Sequence, residues 1–136
     1  MTSVSDDELV ERFAGHALDH DNAAHYRGRL DQRLLLNRCT DCGAWHHPPR
    51  PVCAACWSTD VRPTEVAGTG TIHLVVLVGE PAHPVVTVEL DEQPGLRFTS
   101  TVVDAPHDAI RIGERVRLDW ARRDGTPLPV FRLDRE

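Results

Sequence analysis

The chain contains, between residues 39 and 56, the stretch Cys39-Thr-Asp-Cys42-Gly-Ala-Trp-His-His-Pro-Pro-Arg-Pro-Val-Cys53-Ala-Ala-Cys56. It holds two C-x-x-C pairs, separated by ten residues, and all four cysteines of the protein. A C-x-x-C turn directs two thiolates at one point, and two such turns supply the four sulfur ligands that a tetrahedral Zn²⁺ prefers. The spacing therefore predicts a rubredoxin-like zinc ribbon in which these four cysteines bind one Zn²⁺ per chain.

Two other uses of the cysteines are disfavoured. A disulfide framework needs an oxidising compartment and a secretory signal, whereas residues 1–8 contain neither a basic leader nor an apolar core. A thioredoxin-like redox site needs one C-x-x-C in a βαβ pattern, not two around a proline-rich loop. Because four thiolates leave no position for water or substrate, we expect a structural and not a catalytic zinc.

Length and composition describe an ordinary globular protein. The chain has 136 residues, of which 40% are hydrophobic, enough for one moderate core with small appendages. Its net charge is −6, and all 15 basic residues are arginines. No apolar run approaches the roughly 18 residues of a membrane span. We therefore expect a cytoplasmic protein that does not bind membranes.

The residues before the ribbon show a helical pattern. Ser5 and Glu8 form a capping box, and the apolar residues that follow recur at helical spacing, which predicts a helix over residues 6–18. A second helix is expected over residues 22–30, although Gly28 weakens it. Two short helices cannot bury their shared apolar face alone, so it needs the rest of the protein or a partner. That face comprises Phe13, Leu18, Tyr26 and Leu30.

The ribbon has distinctive neighbours. A short strand is expected over residues 33–38, and Gly43 fits a knuckle turn that needs a positive φ. Trp45 and Trp57 flank the cysteines and are expected to cover the sulfurs and dock the ribbon on a neighbour. The segment 48–51, Pro-Pro-Arg-Pro, should project as an extended loop. This loop is either a rigid spacer or a contact surface whose tip, Arg50, is expected to bind an anion.

After residue 63 the pattern changes to strands and turns. Apolar alternation predicts five strands, over residues 71–78, 85–90, 96–103, 115–120 and 128–133. Gly68 and Gly70 would allow a bulge or sharp coiling before the first of them. Five strands in about 70 residues fit an OB-type barrel better than a sandwich, which takes about seven. The expected fold is mainly β, with an N-terminal helical segment (1–35), a zinc ribbon (36–62) and a five-stranded OB-fold barrel (63–136).

Several motifs in this order resemble the DUF35 family, which combines a zinc ribbon with an OB fold. The resemblance spans about residues 26–136, and the joint order of its motifs is more specific than any one of them. The motifs are Arg38-Cys39-x-x-Cys42-Gly43, Pro48-Pro49-Arg50-x-x-Cys53-x-x-Cys56, Gly68-x-Gly70-x-Ile72, Val88-Glu89-Leu90-Asp91-Glu92, Ile112-Gly113-x-x-Val116 and Leu128-Pro129-x-Phe131.

The resemblance implies a non-catalytic subunit in a hetero-oligomer with a thiolase-fold, lipid-transfer-protein-like enzyme. Members of the family work with thiolases, with acyltransferases and with retro-aldolases that cleave the side chain of steroid-CoA thioesters. The partner would supply the catalytic residues, and the acyl-CoA site could be shared with this chain. The residues expected at the partner interface are Tyr26, Trp45, Pro49, Arg50 and Trp57.

Two other functions are open on the sequence. A zinc ribbon with an OB fold also suits a module that binds single-stranded nucleic acid. However, residues 63–136 carry eight arginines against twelve acids, and Phe98 and Trp120 fall on expected core faces, so a basic groove with stacking aromatics is not expected. An independent enzyme is disfavoured because the sequence contains no nucleophile elbow and no phosphate loop. No catalytic residue is assigned.

Overall fold

The structure is a computed structural model that describes residues 4–135. The chain divides into two compact units. One runs to Val66 and includes Arg122–Leu128, and the other comprises Ala67–Ala121 and the residues from Pro129 onward. Within the described residues, neither helix has the length and hydropathy that crossing a membrane would require. The predicted division at residues 35 and 62 stays a prediction.

Two short helices open the first unit, α1 (Asp6–Arg12) and α2 (Ala23–Leu30). The capping box is confirmed, since the Ser5 hydroxyl accepts a hydrogen bond from the Glu8 N–H at 3.1 Å. The prediction that the first helix reaches residue 18 is wrong, because it ends at Arg12. Gly15 is a poor helix former. Further on, the Asp19 carboxylate accepts hydrogen bonds from the N–H groups of Asp21 and Asn22 and begins a separate turn.

The apolar face predicted for the helices is confirmed. Leu9, Phe13 and Leu30 form a buried cluster, and Leu18 and Tyr26 pack against it. Gly28, which weakens the helix on propensity, has a packing role in α2. A Cβ at this position would lie 2.8 Å from the carbonyl oxygen of Arg33 and 2.9 Å from the side chain of Leu35. The missing side chain therefore allows the following strand to approach the helix.

A three-stranded sheet follows, with the order β2-β1-β3. Its strands are β1 (Leu35–Cys39), β2 (Trp45–His46) and β3 (Val61–Glu65), all antiparallel. The predicted strand over 33–38 is thus displaced by one to two residues towards the ribbon. The central strand β1 ends on Cys39, which pairs with Val61 of β3. The sheet therefore holds the first of the four cysteines in place.

Apart from Arg122–Leu128, the second unit contains a five-stranded antiparallel sheet with the order β6-β5-β4-β7-β8. A parallel bridge between Val102 and Phe131 joins its two ends, so the sheet curls into a half-barrel. This confirms the expected mainly β fold with a ribbon followed by a five-stranded OB-type sheet. The strands are β4 (Thr69–Val78), β5 (His83–Leu90), β6 (Arg97–Ser100), β7 (Arg115–Arg123) and β8 (Thr126–Leu133), with a 3-10 turn at His107–Ala109.

The half-barrel is filled by the alternating apolar residues of these strands. Phe131, Val86, Val88 and Val116 are all fully buried. The irregularity expected at Gly68 and Gly70 lies elsewhere, because the register between β4 and β5 shifts between Ile72 and Leu74. His73 is the extra residue of this bulge. The bulge re-aims the second half of β4.

Candidate metal centre

The two C-x-x-C segments form knuckles with the same backbone pattern. In the first, the Cys39 N–H donates to the Ala44 carbonyl at 2.8 Å, and the Gly43 N–H donates to the Cys39 carbonyl at 2.9 Å. In the second, the Cys53 N–H donates to the Ser58 carbonyl at 2.8 Å, and the Trp57 N–H donates to the Cys53 carbonyl at 2.9 Å. The two knuckles are thus built alike although their sequences differ outside the cysteines.

Gly43 and Trp57 occupy equivalent positions in the two knuckles, and both have positive φ. The φ of Gly43 is +81°, as the sequence predicts, whereas that of Trp57 is +67°. A left-handed backbone suits glycine but costs a residue with a Cβ roughly 1–2 kcal/mol. The Trp57 side chain is 83% exposed, so it does not cover the sulfurs as expected. An indole held in solvent on a strained backbone is a feature that the sequence did not reveal.

The four sulfur atoms converge. All four Sγ atoms lie within 4.8 Å of one another. The separations between Cys39 and Cys56 and between Cys42 and Cys53 are both 3.6 Å. Sulfurs at about 2.3 Å from a tetrahedral Zn²⁺ lie roughly 3.8 Å apart, so this donor set fits the ion. Cys39 and Cys53 are buried, whereas Cys42 and Cys56 lie at the surface.

Neighbouring groups favour the thiolate form of Cys39, whereas the pKa values of the Cys42 and Cys56 thiols are raised; hydrogen bonds also link the two knuckles. Backbone hydrogen bonds, that from Cys42 foremost, lower the pKa of the Cys39 thiol to about 7. An imidazole nitrogen of His46 lies 3.2 Å from the Cys53 sulfur, where an N–H can donate to a thiolate. The Ser58 hydroxyl donates to the Asp41 carboxylate and so connects the second knuckle to the first. His46 supports a cysteine ligand here and does not replace one.

The residues expected at a partner interface differ in exposure. Trp57 and Arg50 are exposed, and Pro49 is half-buried. Trp45 is only 8% exposed, and the Arg38 guanidinium lies 5.1 Å from the centre of its ring. Tyr26 is half-buried against Phe13 in the helical cluster. Of the residues expected at the interface, those that are exposed to a partner therefore lie in the second knuckle and the proline-rich loop.

Sequence reasoning missed a pair of neighbouring histidines in the first unit, of which His25 is buried and His47 half-buried. His25 is 5% exposed, and its ring lies 5.6 Å from that of His47. Its Nδ1 is 2.7 Å from the Leu35 carbonyl, which fixes the proton on Nδ1, and its Nε2 accepts from the Arg29 guanidinium at 3.1 Å. This arrangement requires a neutral imidazole. A histidine three residues before a helical glycine is too common a pattern to signal it.

These contacts predict that acid destabilises the protein through His25. Burial is the main cause that lowers the pKa values of His25 and His47 to about 4, and the charge of Arg29 lowers both further. Because the unfolded chain takes up protons near pH 6.5 and the folded chain only near pH 4, stability is fully present above pH 6.5. It falls as the pH drops from 6.5 towards 4, by up to about 1.4 kcal/mol per pH unit for each histidine.

The measurement is thermal unfolding at pH 7 and pH 5. His25→Gln, which keeps one donor and one acceptor, should lose less stability between these pH values than the wild type. His20→Gln is the matched control, since the side chain of His20 is fully exposed. Equal losses in the wild type and in His25→Gln would contradict the prediction.

The half-barrel bears on the nucleic-acid alternative. Its aromatic residues Phe98 and Phe131 are buried at 4% and 0% exposure, and Trp120 is half-buried. Stacking of bases needs exposed rings. Among the described residues of the second unit, no phenylalanine, tyrosine or tryptophan side chain is fully exposed to stack on a base.

Comparisons with known proteins agree with this architecture. Residues 27–62 match a sequence family described as the ChsH2, rubredoxin-like zinc ribbon domain. The chain is 38% identical over 124 residues to a protein of Thermomonospora curvata named probable enoyl-CoA hydratase alpha subunit. That alignment covers 85% of this chain but 38% of the relative, so the chain spans well under half of that protein.

Two further relatives are matched over most of their own length. The chain is 31% identical over 100 residues to a DUF35 domain-containing scaffold protein of Methanothermobacter thermautotrophicus, covering 65% of this chain and 74% of the relative. A solved structure named Ltp2-ChsH2(DUF35) aldolase is 35% identical, with a TM-score of 0.78, over 87% of this chain and 98% of that one. On this sequence identity and coverage, the chain belongs to the DUF35 family.

Proposed function

We propose that this chain is a non-catalytic accessory subunit that binds and activates a thiolase-fold acyl-CoA enzyme. The observation that carries the proposal is the likeness to the Ltp2-ChsH2(DUF35) aldolase, whose name pairs a DUF35 chain with a second protein. The scaffold name of the archaeal relative supports a binding role, and the name of the Thermomonospora relative supports acyl-CoA chemistry. The partner is a steroid-CoA retro-aldolase, a thiolase or an acyltransferase, and it supplies the catalytic residues.

The four cysteines hold one structural Zn²⁺ in this proposal. Their sulfurs saturate a tetrahedral ion, so the metal supplies rigidity and no reactive position. Rigidity matters because the second knuckle then presents Trp57 to the partner without a further ordering cost. The adjacent loop adds Pro49 and Arg50, whose guanidinium suits a carboxylate of the partner or a phosphate of the acyl-CoA.

Reconstitution tests the proposal. The tagged chain is purified from its native host, and the enzyme that co-purifies is then produced separately. We expect this chain alone to be inert on acyl-CoA substrates, and its addition to raise the activity of the enzyme at least tenfold. Cleavage or thiolysis of the acyl-CoA is followed by release of the product. Full activity of the enzyme without this chain would contradict the proposal, as would turnover by this chain alone.

A further inference from the structure

The second half of strand β4 has an open backbone edge. β4 pairs with β7 only over Thr69–Thr71, and two backbone hydrogen bonds at Ile72, both 2.9 Å, extend the contact. Beyond Ile72, residues 74–78 pair with β5 on one side. On the other side no backbone partner is found among the described residues. Because the peptide groups of a strand point alternately to its two sides, about half of those in this segment face outwards.

The same segment exposes four apolar side chains. We call this surface the hairpin edge; it comprises Leu74, Val76, Leu77 and Val78. Their exposed fractions are 50%, 48%, 55% and 51%. Leu74 lies opposite Thr87, and Leu77 lies opposite Pro84. Because successive side chains of a strand point to opposite faces, Leu74 and Leu77 lie on different faces of the sheet. Both faces as well as the backbone edge are therefore accessible.

The hairpin edge lacks the charges that normally protect such a strand. Residues 71–88 contain no arginine or lysine, and Glu80 is the one acid among them. Edge strands in water are blunted by charged side chains, by proline or by bulges. Here the bulge lies at His73, the first residue of the open segment, and the prolines lie outside it, at positions 81 and 84. Because this edge is open, apolar and uncharged, it is suited to pair with another uncharged strand.

The exposed apolar area distinguishes between two molecules that could bind here, a second copy of this chain and a larger partner. Four half-exposed aliphatic side chains offer on the order of 200 Å² of apolar surface. A stable interface buries roughly 800 Å² on each partner. The hairpin edge is thus too small to hold a second copy of this chain by itself. It suits one part of a larger interface, such as that with the enzyme subunit.

We propose that the hairpin edge binds the partner enzyme by strand addition. The partner contributes an extended, apolar and uncharged segment whose N–H and C=O groups pair with the open side of residues 73–78, while its side chains pack on Leu74, Val76 and Val78 or on Leu77. This inference rests on the proposed function, because it identifies where that same partner is held.

Hydrogen exchange and one charged variant test the inference. The probe is the separately purified enzyme that co-purifies with this chain. In the complex, we expect the amides of residues 73–78 to exchange at least tenfold more slowly than in the free chain. Val76→Lys should weaken binding at least tenfold with little change in melting temperature, since Val76 is already half-exposed. Val10→Lys, at 56% exposure on α1, is the matched control and should bind normally.

Each contrary outcome has a distinct meaning. A complex that forms without slower exchange at residues 73–78 would overturn the inference and leave the proposed function standing, even if Val76→Lys proved unstable. A dimer of this chain that Val76→Lys dissociates would overturn it in favour of a second copy. Failure of any enzyme to bind the wild-type chain would overturn both.

Discussion

Replacement of Cys53 by serine, or removal of the metal by a chelator, is expected to unfold the ribbon and abolish partner binding. Structural zinc sites in small domains contribute on the order of 10 kcal/mol, comparable to the whole stability of a domain. Cys53 is 1% exposed, and its N–H and carbonyl both make backbone hydrogen bonds within its knuckle, so serine in its place removes a buried sulfur ligand from the ribbon. We expect a fall in melting temperature of more than about 10 °C.

Metal analysis and thermal unfolding together check this result. The wild type should contain one Zn²⁺ per chain, and Cys53→Ser should contain far less. Ala54→Ser is the control, because it places the same hydroxyl one residue further along at an exposed position. An unchanged melting temperature with undiminished partner binding in Cys53→Ser would sink the proposal that the metal holds the ribbon.

Replacement of Trp57 by glycine is expected to separate stability from binding. Glycine adopts the φ of +67° without strain, so the variant should be as stable as the wild type or up to about 1 kcal/mol more stable. A tryptophan that anchors an interface contributes at least about 2 kcal/mol. The affinity for the partner enzyme should therefore fall at least about thirtyfold.

Calorimetric titration with the partner measures the affinity, and thermal unfolding measures the stability. Val10→Ala removes apolar surface from another exposed position and should change neither quantity much. Unchanged affinity in Trp57→Gly would show that the indole does not contact the partner. A large loss of stability would instead mean that Trp57 packs within the ribbon.

Local patterns account for the parts of the fold that were predicted correctly. The ligand set follows from C-x-x-C spacing, and the cap of α1 follows from Ser5 and Glu8, because each depends on residues a few positions apart. The five strands of the half-barrel follow from alternation between apolar and polar residues. Errors occurred at element ends, such as Arg12, and at the bulge, where contacts distant in sequence decide.

The histidine pair and Trp57 show why the candidate site was only partly predictable. His25 is neutral because it is buried and lies against the Arg29 guanidinium, and the sequence shows neither its burial nor this contact. Trp57 was expected to pack, since tryptophan usually does. Its position in the knuckle instead places it where the first knuckle has glycine, and the side chain points into solvent.

The sequence by itself determined the four-cysteine ribbon, the order of the two helices and of the five half-barrel strands, and the membership in the DUF35 family. These depend on spacing and alternation along the chain. Only the tertiary structure decided which groups are presented at the surface. The strands β4 and β7 are far apart in sequence, and their backbone hydrogen bonds end at Ile72. The hairpin edge is therefore left open.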